Sequence, residues 1–227
     1  MPSLPSSTLP RSRQADSMEA SSVSSKTRKS SAYDENFQRH LSDHHIYASN
    51  HRFYDKSSTR RPDDLAQIRQ SLLLERASLS PSQFDECRFE DFQEKHFSTS
   101  KATLMRTVVP VIAGNAKIPN EGQIPFTNLQ CLTGDATAEA MPDFFDGADP
   151  TSIDRNVSKA LSQKIIPTKH ERVPAVPNFF LEVKTPAGGT LIAQRQACYH
   201  GAHGARAMHS LQNYGESEPI YDGRAYT

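Results

Sequence analysis

The chain has 227 residues, 36% of them hydrophobic and none of them Trp, which is enough for one modest domain together with sequence that cannot be packed. Lys and Arg number 26 and Asp and Glu 26, so no global field draws the protein to nucleic acid or to an anionic membrane, and any nucleic-acid surface must be a local patch. Cys87, Cys131 and Cys198 are odd in number and widely spaced, which supports neither a disulfide framework nor a zinc site and reads as reduced intracellular thiols.

Residues 1–32 contain eleven Ser, with Pro2, Pro5 and Pro10 and almost no large apolar groups. Such a segment cannot bury enough surface to offset its ordering entropy, and disorder is expected. Residues 33–62 carry aromatic and His side chains without a clear period, with one short helix around Glu35 to His45. No apolar run approaches the roughly 20 residues that span a bilayer, and the N-terminus lacks the apolar core of a signal peptide. The expected location is intracellular, nuclear or cytoplasmic, with no membrane partner.

A single α/β domain of the α+β kind is expected over 63–227, helical over 63–114 and sheet-containing over 124–227. Leu65, Ile68 and Leu72 predict a helix from Asp63 to Ala77. Ser80 and Pro81 open a second that ends near His96. Ser98 or Ser100 caps a third through Leu104, Val108 and Ile112, which Pro110 bends or ends and Gly114 closes. Phe126 to Leu132 and Ala138 to Phe145 read as a hairpin around Thr133-Gly134-Asp135. Ile153, Val157, Leu161 and Ile165 give a helix from Thr151 to Ile166 with one buried stripe. Pro167, Pro174 and Pro177 hold an extended linker before a strand at Phe179 to Lys184, expected to be central in a small mixed sheet.

The last helix, about Ala193 to Gln212, crosses that sheet. Gly201 and Gly204 fall on one of its stripes, and a mid-helix Gly costs about 1 kcal/mol relative to Ala, so close backbone approach is expected at both. A neighbouring stripe holds Gln196, Tyr199, His200 and His203, a polar row bordering the strand's charged face. Core packing is the plainer role for Tyr199, and His200 and His203 read as surface or site-rim residues.

The chemistry concentrates at the end of the 179–184 strand. Alternate side chains share a face, so Phe180, Glu182 and Lys184 point one way. A carboxylate and an ammonium thus leave an apolar strand together, and burying either costs several kcal/mol unless it is paired or bound to a metal. Asp143, at the end of the hairpin, is the second acid, with Asp146 as its rival. Two acids of this kind could hold Mg²⁺ or Mn²⁺ for phosphodiester hydrolysis, since a hard cation favours carboxylate oxygens and offsets charge on the transition state. Lys184 would then orient water or neutralise the phosphate, and Gln196 would assist by hydrogen bonding.

At these residues the chain resembles the PD-(D/E)xK phosphodiesterase superfamily, with Pro142-Asp143 as the first element of the pattern and Glu182-Val183-Lys184 as the second. A wider match runs through 142–148, 165–167, 177–184, 195–199 and 204–212, and back through 68–70, 79–84 and 110–114. Over about residues 35–227 it looks like a large group of filamentous-fungal proteins. The resemblance implies a restriction-endonuclease-like sheet, a nucleic-acid substrate, metal ligands at Asp143 and Glu182, and catalytic roles for Glu182, Lys184 and Gln196. In that group the segment like Tyr221 to Thr227 runs on into further strands, so it also implies a chain truncated at its C-terminus with its last strands missing. A second function follows from that truncation and the zero net charge: a catalytically silent binding or scaffold protein that keeps the nuclease-like fold.

Overall fold

The computed structural model describes residues 28–48, 51, 61–98 and 100–226. The expectation of a disordered tail therefore lies outside the described residues as far as residue 27. Residues 28–32 are bound to the body. Ser30 forms a parallel bridge with Thr137, its N–H donates to the Ala136 carbonyl at 2.8 Å, and Ala32 is buried in the core.

Helix α1 (Phe37–Asp43) follows, and its Phe37 and Leu41 are fully packed. Helix α2 (Leu65–Leu72) is shorter than its periodicity suggested and buries none of its residues, and Leu72, Leu73 and Leu74 are all exposed. Helix α3 (Glu86–His96) starts late, at an Asp85 cap that accepts from the Arg88 N–H, and it too buries nothing. The N-terminal helices are thus not all packed on the sheet as expected. Burial is found instead in α1 and in helix α4 (Lys101–Thr107), which buries Leu104, while the start of α2 is tied to the C-terminal segment by the Asp63 N–H to the Gly223 carbonyl. Ser100 caps α4 by accepting from the Thr103 N–H. A five-residue helix, α5 (Val109–Ala113), has Pro110 in its first turn and ends at Gly114, whose φ of 76° suits only glycine comfortably.

Among the described residues the sheet has three strands in the order β1 (Asn120–Glu121), β2 (Phe144–Ala148), β3 (Ala175–Leu181). Both pairings are antiparallel, so the sheet is not mixed, and β3 lies at an edge rather than at the centre. The expected hairpin is absent. The segment 126–132 sends its amides to scattered places: Phe126 to the Ala140 carbonyl, Thr127 back to Pro125, Asn128 to Pro167 and Gln130 to Gln163. With no single partner strand it cannot form a ladder. Strand β2 begins where the expected second hairpin strand was to end.

The register aligns Phe144 with Leu181, Phe145 with Phe180 and Asp146 with Phe179, then shifts so that Ala148 meets Ala175. The extra residues of β3 at this bulge include Val176, at a φ of 51°, and Pro177. Proline has no N–H to give a ladder, so a bulge on an edge strand suits it. The left-handed Val176 is a strained position for a β-branched side chain.

Between β2 and β3 the expected single helix is split into α6 (Arg155–Ala160) and α7 (Ser162–Ile165), after a 3₁₀ turn at Pro150–Ser152. Its apolar stripe holds nonetheless. Ile165 is fully buried, and Ile153, Val157 and Leu161 pack against the same cluster as Ala175, Val176 and Ala207. Helix α8 (Thr190–Gln212) starts three residues before its expected position, directly after the turn at Pro186–Gly189, and lies along β3. A Cβ on Gly204 would stand 2.7 Å from the Phe180 ring and 3.0 Å from the Pro177 carbonyl, so here helix and strand do approach closely. A Cβ on Gly201 would meet nothing within 4 Å, so the expectation of close approach fails at that position. The larger core joins Phe37, Leu41, Phe126, Phe145 and Tyr199, with the Phe126 and Phe145 rings edge to face at 5.2 Å.

Candidate active site

Continuing the β2–β3 register one pair outward sets Asp143 opposite Glu182, two acids 39 residues apart in sequence. Strand β3 ends at Leu181, so Glu182, Val183 and Lys184 lie just beyond it, where the backbone is free to turn its amides inward. The two acids are bound reciprocally. Asp143 Oδ2 accepts from the Val183 N–H at 2.8 Å, and the Asp143 N–H points to Glu182 Oε1 at 3.4 Å. Both side chains are almost wholly buried, at 6% and 3% exposure.

Buried carboxylates need countercharge. Lys184 Nζ stands 3.8 Å from Glu182 Oε2, with its own side chain 15% exposed. Asp143 Oδ1 is held by the ammonium of Lys101, the first residue of α4. Sequence reasoning missed Lys101, which lies 42 residues from Asp143 with no motif around it. The site therefore holds two carboxylates and two ammoniums.

His200 of α8 completes it. Its Nε2 accepts from the Met141 N–H at 3.3 Å, which leaves the proton on Nδ1, and Nδ1 donates to Glu182 Oε1 at 2.7 Å. His200 and His203 are 3% and 2% exposed, so neither is the surface or rim residue expected from sequence. The one available signal was the helical stripe: His200 is one turn after Gln196, on the row that borders the Glu182 face. Both ring nitrogens of His200 are engaged, so it orients Glu182 and does not itself face a metal.

The expected residues separate. Asp143, Glu182 and Lys184 come together. Gln196 lies one turn before His200 on the same helix face, and its Oε1 is buried without a hydrogen-bond partner. Asp146 falls on the other parity of β2, opposite Phe179, and lines a separate cavity of about 630 Å³ with Ile118, Phe179 and Gly201. Burial there pushes its carboxyl up from the usual aspartate value. As a rival ligand to Asp143 it is displaced by the alternation of the strand.

Comparison with protein-family models, curated proteins and solved structures finds no match.

Two further features bear on what this site could hold. Glu182 Oε2 is buried and accepts no hydrogen bond, so one acceptor of the acidic pair is left open beside Lys184. Among the described residues no group of three or more His, Cys, Asp and Glu is arranged around a metal position. The donor set is two hard carboxylates, which suits a cation that keeps several of its waters and takes further oxygens from a phosphate, as Mg²⁺ does. Among the described residues no helix is long and apolar enough to cross a membrane.

Proposed function

We propose that the chain is a metal-dependent phosphodiesterase acting on nucleic acid, with Asp143 and Glu182 as the residues that would hold Mg²⁺ or Mn²⁺. The observation that supports this most is the juxtaposition of two buried acids at the adjoining ends of neighbouring strands, with Lys184 beside one of them and one carboxylate oxygen unpartnered. A divalent cation there would supply charge neutralisation at the phosphodiester and make a water more acidic. The protein's own residues do the rest. His200 fixes the Glu182 carboxylate through its Nδ1–H, as a histidine–carboxylate pair must be fixed to keep one geometry. Lys184, nearly enclosed, offers a point charge to the scissile phosphate or to an attacking water. Gln196 adds a polar amide on the same face of α8.

A second reading is a catalytically silent binding protein. It is favoured by the internal charge balance, since Lys101 and Lys184 already neutralise both acids. One experiment separates the two. Purified chain is incubated with labelled DNA or RNA in Mg²⁺ or Mn²⁺, with a chelator control, alongside Glu182→Ala and Lys184→Ala. Metal-dependent cleavage lost in both variants supports the phosphodiesterase. Absence of cleavage, or equal cleavage by the variants, leaves the binding protein.

A further inference from the structure

We propose that Lys101 is a resident stand-in for the cation: its ammonium occupies the Asp143 oxygen that a divalent ion needs, and it must leave when the ion binds. The inference rests on the reading of Asp143 and Glu182 as metal ligands and adds a residue that the Glu-x-Lys pattern does not contain.

Three observations carry it. First, the oxygens of Asp143 are both engaged, Oδ2 by the Val183 N–H and Oδ1 by Lys101. The Val183 contact comes from a backbone amide two residues past the end of β3. The Lys101 contact is a side chain on a long flexible stem and is the one that can be exchanged. Second, exposure is unequal. Asp143 is 6% exposed and Lys184 15%, whereas Lys101 is 41% exposed, so of the groups around the acids it has the shortest way to solvent. Third, the charges sum to zero with both lysines in place. A divalent ion added to that arrangement would leave two buried positive charges in excess, a cost that the departure of Lys101 reduces. A lysine released at the mouth of the site then has a natural counterion in a phosphodiester backbone, to which it presents a mobile point charge.

Lys101 is thus a positioning residue that balances the charge of the acids without metal and yields its place to it. Its removal should raise metal affinity, which a purely structural role would not do.

The test measures Mn²⁺ binding to the full chain, without nucleic acid, by electron paramagnetic resonance of the free ion and by calorimetry. Wild type, Lys101→Ala and Lys101→Arg are compared, each checked for native circular dichroism. Lys101→Ala is expected to bind Mn²⁺ three- to tenfold more tightly, and Lys101→Arg to bind as wild type does. If wild type binds Mn²⁺ and Lys101→Ala binds it equally or more weakly, the exchange role is overturned while the metal site stands. If neither chain binds Mn²⁺, the metal site itself is overturned and this inference with it.

Discussion

The amide of Asp143 points to the carboxylate of Glu182, and the carboxylate of Asp143 accepts from the amide that follows Glu182. Each acid is thereby held by the other's strand. Two like charges would normally push neighbouring strand ends apart, yet the reciprocal bonds and the two lysines make the pair part of the sheet's closure. The acids sit just outside the paired strands, Asp143 one residue before β2 and Glu182 one residue after β3, so the ladder sets where they meet.

Removing either acid's charge should abolish metal binding while leaving most of the fold. Asp143→Asn and Glu182→Gln are each expected to lose Mn²⁺ binding and to lower any nucleic-acid cleavage by a hundredfold or more, about 2.7 kcal/mol in barrier. Isothermal titration and single-turnover cleavage would check it. Retained Mn²⁺ affinity in both variants would remove these residues from the metal site.

His200 should matter through Glu182. Truncation in His200→Ala removes the 2.7 Å bond to a carboxylate that is 3% exposed, and hydrogen bonds to charged groups are worth about 1.5–3 kcal/mol. A stability loss in that range is expected from urea unfolding. A 10- to 100-fold loss in metal affinity should accompany it, as for other residues that orient a ligand. His200→Asn, which can still donate to Oε1, should recover part of both.

Much of the helical frame was legible because it depends on local chemistry. The Ser100 cap, the Pro110 interruption, the Gly114 stop and the stripe from Ile153 to Ile165 each act within a turn or two of chain. The Glu182 and Lys184 pairing was expected from alternation along a strand to Lys184, although the strand ends at Leu181, and Asp143 was expected at the end of a hairpin strand, whereas it stands just before β2. Phe126, Leu129 and Leu132 look like a strand's apolar residues, yet the hairpin does not form because their burial serves a segment whose amides go to several separate partners. The exposed leucines of α2 gave a helical period without a face to bury it on. Lys101 and the His200 clamp were hidden for a different reason: both are contacts distant in sequence, 42 and 18 residues from their acids, with nothing local to mark Lys101 and only the polar stripe of α8 to mark His200.

The two glycines of α8 should respond oppositely to alanine. Gly204→Ala forces a methyl to within 2.7 Å of Phe180 and 3.0 Å of the Pro177 carbonyl, and such overpacking costs about 1–3 kcal/mol. Gly201→Ala meets open space and should stabilise the helix by about 0.5–1 kcal/mol. Urea midpoints measured side by side decide it, and a shift of the same sign in both would mean that α8 does not rest on β3 at Gly204.

Acid should weaken the fold through His203. This ring is 2% exposed, packed between Phe126 and Tyr199, with Arg206 donating to its Nδ1 and with His200 one turn away. Burial, then the nearby charge of Arg206, holds its proton affinity down to about 3, against 6.5 for an ordinary histidine. Between those values the unfolded chain binds a proton that the folded chain refuses. The contribution of neutral His203 is therefore complete above about pH 6.5 and is lost as pH falls toward 3, with a slope of up to about 1.4 kcal/mol per pH unit. Urea midpoints at pH 7, 5.5 and 4.5 should fall for the wild type and fall less for His203→Gln, which has nothing to protonate there. The carboxylates are common to both chains, so the difference between the two curves isolates the ring, and parallel curves would assign the acid sensitivity to other groups.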